Sequence, residues 1–369
     1  MEMPGPMMNE AGKAAFMLQK EAGITPRENA KMAYDHKIPY WIPNIFLDLW
    51  TVQPVMEVER YFGHDKGEDA WGVEWTYVEE MGAPMPTPGK HLFEDIADWE
   101  SHVRFPDLDA IDWKARAEDD MRIDMMVTGA TGQKTYMKDG QSIYDPNKMG
   151  MAMILNGMFE RLHAMMGFDN ALIALAEDED AAYAYFEKAA DYKIKFFQKV
   201  GENYPVDIIN AHDDYGSSDR MLMSPDTWRR IIKPNLKRMV EAVHDMGLIY
   251  QHHSCGCIDP IVEDLIEIGV DAWDPVQTGN VNVHKDPAKY QSRITLVGGM
   301  DNQKVIDQPD ATPEKIIASL KGTTDNLAPQ GSYIALPSIA DHSRMPIVMG
   351  QYFAYDVPFY KNHQLGPWA

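Results

Sequence analysis

Cysteine, positive charge and long apolar segments are scarce in this chain of 369 residues. Its two cysteines, Cys255 and Cys257, are separated by one residue, which excludes a disulfide framework joining distant parts of the chain. No segment approaches the roughly 20 apolar residues of a membrane-spanning helix, so we expect no association with a membrane. Asp and Glu number 57 against 34 Lys and Arg, and the resulting charge of −23 argues against binding to nucleic acid or anionic lipid.

Two further signatures are missing. The opening residues, MEMPGPMMNEAG, do not combine a basic leader with an apolar run, so we predict no secretory signal and a cytoplasmic location. No GxGxxG or GxxxxGK(S/T) pattern follows a predicted strand, which disfavours a nucleotide-binding doubly wound sheet.

What the chain does contain is a regular alternation of strands and helices after about residue 121. Successive strand and helix units of this kind imply parallel strands joined by crossover helices. With 45% hydrophobic residues there is material for one large core. The predicted fold class is therefore α/β, a (β/α)8 TIM-type barrel with an N-terminal helical and loop extension. We treat residues 1–369 as a single domain, in which 1–120 carry short helices, a hairpin within 67–91 and the first barrel strand, and 121–369 carry the remaining barrel.

Several local assignments can be compared directly with a structure. We predict strands over residues 41–50 and 122–130, and a helix over 151–166, where the apolar residues have helical spacing. We also predict one helix over 224–247, with Ser224 as its N-cap and Pro225 in its first turn.

Polar and metal-ligating residues collect where the predicted strands end, which is where the functional loops of a parallel β/α barrel converge. These residues are His212, Asp213 and Asp214; His252, His253, Cys255 and Cys257; Asp274 and Gln277; Asp301, Asn302 and Gln303; and Ser338, Asp341 and His342.

The most specific pattern among them is His253-Ser254-Cys255. Residues two apart in an extended segment point to the same side, so an imidazole and a thiolate at this spacing can reach one metal ion, and zinc accepts this mixture of ligands. A buried free cysteine beside a hydrogen-bonded histidine is the alternative. Cys257 and His342 are the candidates to complete the metal site, although Gly256 favours a turn before Cys257.

The paired carboxylates Asp213 and Asp214 follow a β-branched strand directly. They are candidates for acid and base catalysis, for hydrogen bonds to a metal-ligating histidine, or for capping the next loop or helix. His212, Gln277 and Asp301 occupy neighbouring strand ends, and we predict that they bind substrate.

These motifs carry a family resemblance. Residues 208–280, beginning IINAHDDYGSSDR and including YQHHSCGCIDP, and then RITLVGGMDNQ, resemble the uroporphyrinogen decarboxylase superfamily, and more closely its corrinoid-dependent methyltransferase branch. Residues 67–109 resemble the N-terminal segment of that branch, and the likeness extends from about residue 35 to 340.

The resemblance implies a (β/α)8 barrel with its active site at the strand C-termini, a zinc ion held by His253 and Cys255, and a separate corrinoid protein that carries the methyl group. The coenzyme M methyltransferases of this branch have a further cysteine after the last strand, near Ser338 and Ile339, which this chain lacks. We therefore favour a substrate other than a thiol, and the third metal ligand stays open among Cys257, His342 and a carboxylate.

The predicted function is a zinc-dependent methyltransferase that moves a methyl group from a small methylated or methoxylated compound to a corrinoid-binding protein, as an aryl methyl ether O-demethylase does. Cobalamin would come from the partner, because no histidine of this chain lies in a DxHxxG motif. A homodimer is compatible with this function. The alternatives are a coenzyme M-type thiol methyltransferase and a metal-free decarboxylase or lyase. A porphyrinogen with its eight carboxylates is disfavoured, because residues 33–50 hold one lysine and no arginine.

Overall fold

The structure is a computed structural model that describes residues 10–79, 83–125 and 134–369. In chain order its strands are β1 (Leu49–Val52), β2 (Gly67–Glu68), β3 (Glu74–Val78), β4 (Ala83–Pro86), β5 (Met149–Ile154), β6 (Ile208–His212), β7 (Ile249–His253), β8 (Ala272–Asp274), β9 (Thr295–Val297) and β10 (Tyr333–Ile334).

The α-helices lie between and outside these strands. They are Glu10–Ala22, Pro26–Tyr34, Ile45–Asp48, Met56–Glu59, Trp99–His102, Trp113–Asp120, Met158–Met166, Phe168–Glu177, Glu179–Asn203, Pro225–Ile231, Lys233–Asp245, Val262–Glu267, Ala288–Gln291, Pro313–Leu327, Met345–Gln351 and Phe359–Asn362. Short 3-10 turns and two π-helical turns, Asn302–Ile306 and Tyr352–Asp356, complete the regular structure of the described ranges. No helix in these ranges is both long enough and apolar enough to cross a bilayer.

Seven parallel strands form one curled sheet in the order β1-β5-β6-β7-β8-β9-β10. A single parallel bridge between Asn44, just before β1, and Ala335, just after β10, brings the two edges together. The strands β2, β3 and β4 form a separate antiparallel sheet, which confirms the hairpin predicted within 67–91. The TIM-type α/β barrel is thus confirmed, with seven parallel strands in the part of the chain that is described.

The N-terminal end of the barrel is filled by apolar side chains. The residues that begin the strands, such as Leu49, Met149 and Ile208, are buried against Ala30 and Ala33 of the helix Pro26–Tyr34. This packing removes water from one end of the barrel, and the polar side chains collect at the other end.

The residues 151–166 do not form the single helix that we predicted. They continue the strand β5 as far as Ile154, and a helix begins only at Met158, after Gly157. A strand buried on both faces is a continuous apolar run, and periodicity alone cannot distinguish it from a buried helix. The correction places a further strand end, and the start of a helix, at the C-terminal mouth of the barrel.

Two other predicted elements also differ from the structure. Residues 45–48 form a helical turn, and the first barrel strand begins only at Leu49, because the Asp48 carboxylate accepts hydrogen bonds from the Asn44 backbone and the Trp41 indole. The predicted helix 224–247 is two helices with a break at Ile232, since Pro234 has no N–H for a continuous hydrogen-bond ladder. Ser224 is the N-cap of the first, as predicted. Part of the predicted strand 122–130 lies outside the described residues.

Candidate metal centre

The last residues of three neighbouring strands lie side by side at the C-terminal mouth of the barrel. In the register of the sheet, His212 of β6 pairs with His253 of β7, which pairs with Asp274 of β8. The imidazole rings of His212 and His253 are stacked, with centroids 3.9 Å apart. The strand ends therefore bring several of the predicted site residues together.

Three of these side chains can share one metal ion. The ligand atoms of Asp214, His253 and Cys255 all lie within 4.8 Å of one another. The Cys255 Sγ is 3.4 Å from the His253 Nε2, which is 3.8 Å from the Asp214 Oδ1. All three residues are partly exposed, so the cluster faces the open mouth of the barrel.

The orientation of the His253 ring is fixed by its hydrogen bond with Asp274. Its Nδ1 is 2.5 Å from the Asp274 Oδ1, and the other oxygen of this buried carboxylate accepts hydrogen bonds from the Asn210 and Gln251 amides, at 2.7 and 2.6 Å. This arrangement leaves the Nε2 of His253 facing Cys255 and Asp214. Burial lowers the pKa of His253, but the carboxylate of Asp274 outweighs it and raises that pKa well above the usual value.

The donor set fits zinc. Nitrogen, sulfur and oxygen ligands are those that zinc accepts, and three protein ligands with an open fourth position are typical of catalytic zinc sites. Burial raises the pKa of the Cys255 thiol, an effect that His253 offsets only in part. A cation beside the sulfur would favour the thiolate, which is the form that binds metal.

Two glycines allow the loop after β6 to approach the loop after β7. Gly256 has a φ of +77°, and a Cβ at this position would lie 2.5 Å from backbone atoms of Gly216. This contact brings Asp214 to the Cys255 backbone, whose N–H donates to the Asp214 Oδ1 at 2.7 Å. Because Gly256 turns the chain, Cys257 does not continue the extended segment.

The two remaining predicted ligands lie outside the three-residue cluster. The Cys257 Sγ is buried and lies 3.8 Å from an Asp259 carboxylate oxygen. His342 is exposed at the start of the short 3-10 helix His342–Arg344. Among the described residues, neither belongs to a group whose ligand atoms meet within 4.8 Å.

The two carboxylates that follow β6 have different surroundings. Asp214 faces the cluster, whereas Asp213 is buried under the helix Met158–Met166 and accepts hydrogen bonds from the Phe159 and Glu160 backbone N–H groups and from the Tyr215 hydroxyl. These are the contacts of a capping residue. Burial raises the pKa of Asp213 to about 6, although the hydrogen bonds oppose this.

The predicted substrate-binding residues lie on three different strand ends. His212 donates or accepts a hydrogen bond with Asn210 at 2.7 Å, and burial lowers the pKa of His212 well below its usual value, so the ring is neutral. Gln277 is buried and accepts a hydrogen bond from the Gly256 N–H at 3.0 Å. Asp301 accepts from the Lys304 N–H at 3.0 Å, at the start of the π-helical turn Asn302–Ile306.

Two residues of the mouth escaped the sequence-based prediction. Glu160 lies in the first turn of the helix Met158–Met166, half-buried, and burial followed by the charges of Asp214 and Asp213 raises the pKa of Glu160 to about 8. These effects favour the protonated form of Glu160 in the metal-free site. Arg60 ends the helical turn that follows β1. The signal for Glu160 was a strand end hidden inside the predicted helix 151–166. Arg60 lies ten residues beyond the segment 33–50, which holds no arginine.

A small cavity lies between the ends of β1 and β5. Its volume is about 10 Å³, which is room for about one water molecule. Its lining residues are Gln53, Pro54, Met56, Glu59, Phe62, Met153, Ile154 and Leu155.

We expect Asp274→Asn to weaken zinc binding about 10- to 100-fold, the range found when a carboxylate behind a zinc-ligating histidine is removed. The amide of asparagine keeps the shape of the Asp274 carboxylate but has no charge. Its nitrogen atom cannot accept a hydrogen bond from Asn210, Gln251 or His253. Competition with a chromogenic chelator measures the affinity, and thermal unfolding shows whether the variant folds. An unchanged affinity would mean that His253 does not bind the metal through its Nε2.

Comparison with known proteins gives the family of the chain and a solved structure with the same fold. The family model for uroporphyrinogen decarboxylase (URO-D) matches residues 146–348, which is more than half of the chain. The protein belongs to the uroporphyrinogen decarboxylase family. The matched range includes β5 to β10, His253, Cys255 and Asp214.

A solved structure shares the fold over almost the whole chain. It is a methyltransferase from Methanosarcina mazei, with a TM-score of 0.53 and 15% sequence identity, covering 93% of this chain and 89% of that one. At this identity the likeness shows the fold. No curated protein sequence matches the chain.

Proposed function

We propose that the protein is a zinc-dependent methyltransferase that moves a methyl group from a small methoxylated compound to a separate corrinoid protein. The observation that carries the proposal is the cluster of Asp214, His253 and Cys255 at the open mouth of the barrel. The membership of the family and the shared fold of the Methanosarcina mazei methyltransferase support it.

The residues present define what the site would hold. His253, Cys255 and Asp214 would bind zinc, with Asp274 fixing the tautomer and direction of the imidazole. A zinc ion bound there supplies a Lewis acid that polarises the ether oxygen of the substrate. The partial exposure of all three ligands leaves room for that oxygen.

Methyl transfer breaks the bond between the methyl carbon and the oxygen, and the bonding electron pair remains on the oxygen. The oxygen then needs a proton. Both oxygens of Asp213 are occupied by hydrogen bonds, and Asp214 lies among the ligands, so we assign the proton donor to Glu160. Asp213 acts as a positioning residue, because it holds the N-terminus of the helix that carries Glu160.

The cavity between β1 and β5 has room for about one water molecule, so the body of the substrate would lie in the open mouth of the barrel, beside the partly exposed Asp214, His253 and Cys255. The methyl acceptor would approach from the open mouth of the barrel. It is a separate protein in this proposal, because the chain has no DxHxxG motif for a corrinoid of its own.

A methyl-transfer assay tests the proposal. The protein, purified without chelators, is incubated with a methoxylated aromatic compound and a reduced corrinoid protein, and methylation of the corrinoid is followed by its absorption spectrum. We expect about one zinc per chain and transfer that a chelator abolishes. Full activity without metal, or release of CO₂ from a carboxylated substrate without methyl transfer, would contradict the proposal and favour the metal-free decarboxylase.

A further inference from the structure

Three consecutive backbone N–H groups hold the turn that follows Cys255. They belong to Cys255, Gly256 and Cys257, and their acceptors are, in that order, the Asp214 Oδ1 at 2.7 Å, the Gln277 Oε1 at 3.0 Å and the Ser217 carbonyl at 2.7 Å. Gly256 has no side chain to restrict its backbone, so these hydrogen bonds fix the direction in which the chain leaves Cys255. The backbone at Cys255 in turn sets where its sulfur lies relative to His253.

The three acceptors have different surroundings. Asp214 is partly exposed and belongs to the metal cluster, so a bound metal would share its oxygens. Ser217 lies in the loop after β6, where the residues that follow it, 218–220, are exposed. Gln277 lies on another strand end, three residues after β8, and its side chain is buried. Of the three acceptor residues, Gln277 is thus the one that is buried and lies outside the loop after β6.

Gln277 is itself held firmly. Its backbone carbonyl accepts hydrogen bonds from the N–H groups of Asn280 and Val281, at 2.7 and 3.1 Å. Its Oε1 also accepts from the Asn280 amide at 3.3 Å, and its Nε2 donates to the Asn302 Oδ1 at 3.3 Å. An amide oxygen has two lone pairs, and the N–H of Gly256 and the amide of Asn280 occupy both. The oxygen of Gln277 therefore serves the turn and has no lone pair left for a substrate.

We propose that Gln277 is a positioning residue of the metal centre, which holds the turn at Gly256 and so keeps the Cys255 sulfur in place for the metal. This inference rests on the proposed function, because it takes Cys255 as a ligand. It gives Gln277 a role different from the substrate binding that its place at a strand end predicts. Residues that orient metal ligands through hydrogen bonds change the affinity for the metal although they do not touch it.

Gln277→Met tests the inference, because methionine has nearly the same length and no oxygen to accept the hydrogen bond of Gly256. We expect the affinity for zinc, measured by competition with a chromogenic chelator, to fall about 10-fold, the lower end of the range for residues that orient a ligand. In the cobalt-loaded protein the thiolate-to-cobalt charge-transfer band should weaken. Gln277→Glu keeps an oxygen at this position and should keep the band and most of the affinity.

The metal-free protein gives a second readout. Amide hydrogen exchange, followed by mass spectrometry of peptides that cover residues 254–258, should become about 5- to 10-fold faster in Gln277→Met, as for loss of one hydrogen bond. This measurement needs neither a metal nor a methyl acceptor.

Gln291→Met is the matched control, because it also removes a buried glutamine amide. The Nε2 of Gln291 donates to the Leu327 and Gly331 carbonyls, at 2.6 and 2.9 Å, just before β9 begins and therefore at the other end of the barrel. We expect this variant to lose stability in thermal unfolding and to keep the zinc affinity and the hydrogen exchange of residues 254–258.

An equal loss of zinc affinity in Gln277→Met and Gln291→Met would overturn the inference, since the effect would then be one of general stability. Faster exchange in Gln277→Met with an unchanged zinc affinity would also overturn it and limit Gln277 to the structure of the turn. Unchanged zinc affinity and exchange, with weaker binding of a methoxylated aromatic compound, would make Gln277 a substrate residue. A parent protein that binds zinc without transferring methyl groups would contradict the proposed function and leave the role of Gln277 intact.

Discussion

Cys255→Ser is expected to abolish stoichiometric zinc binding and to slow methyl transfer by about 10³-fold. Removal of the sulfur leaves one imidazole and one carboxylate in the cluster. Loss of a metal ligand should lower the affinity for zinc by more than the roughly 10- to 100-fold expected for loss of a residue that only hydrogen-bonds to a ligand. A Lewis-acid ion contributes several kcal/mol to a transition state, and about 1.4 kcal/mol corresponds to each factor of ten in rate. Metal analysis after gel filtration measures the zinc, and the corrinoid spectrum measures the transfer.

Cys257→Ser is the matched comparison, because it makes the same change two residues away. The Cys257 sulfur lies against Asp259 and outside the cluster, so we expect this variant to keep its zinc and most of its activity. Cobalt substitution adds a readout that does not depend on turnover: the thiolate-to-cobalt charge-transfer band should disappear in Cys255→Ser and persist in Cys257→Ser. Equal loss of zinc in the two variants would contradict the ligand set of Asp214, His253 and Cys255.

The location of the site could be predicted from the sequence because it depends on two simple regularities. Parallel strands end at one edge of the sheet, and side chains two residues apart in an extended segment point the same way. These rules place His253 and Cys255 together, and the register of β7 and β8 adds Asp274 beside His253. Both rules concern residues that are close in sequence or at equivalent positions of neighbouring strands.

The different positions of Asp213, which caps a helix, and Asp214, which faces the cluster, could not be predicted in the same way. It depends on Gly157, where a Cβ would lie 2.3 Å from the Cβ of Asp213, so that only glycine lets the helix Met158–Met166 approach that carboxylate. The close contact of Gly216 and Gly256 similarly brings Asp214 next to Cys255. Such contacts join segments about 40 to 60 residues apart, and no local pattern records them.

Glu160 was missed for a related reason. The strand β5 is an unbroken apolar run, and reading it as helix concealed the strand end at Ile154 and the helix start that places Glu160 at the mouth. The topology, and not the sequence spacing, brings Glu160 to the mouth of the barrel.

Glu160→Gln is expected to slow methyl transfer from an unactivated methoxylated aromatic compound by about 10²- to 10⁴-fold, the usual contribution of a general acid. The amide has nearly the same shape and cannot protonate the leaving oxygen. The hydrogen bond from residue 160 to Asp213 comes from the backbone N–H, so the substitution leaves the capping of the helix in place. Single-turnover kinetics with a saturating reduced corrinoid protein isolate the transfer step.

The leaving group distinguishes proton donation from a structural role. A nitro-substituted methoxylated aromatic compound releases a phenolate that needs no proton, so the rate of Glu160→Gln should approach that of the parent protein with this substrate. Glu187→Gln changes an exposed glutamate on the helix Glu179–Asn203 and serves as the control for loss of one acidic charge. If Glu160→Gln slowed both substrates by the same factor while zinc content and thermal stability stayed unchanged, Glu160 would position the substrate, and the proton would have to come from another group or from water.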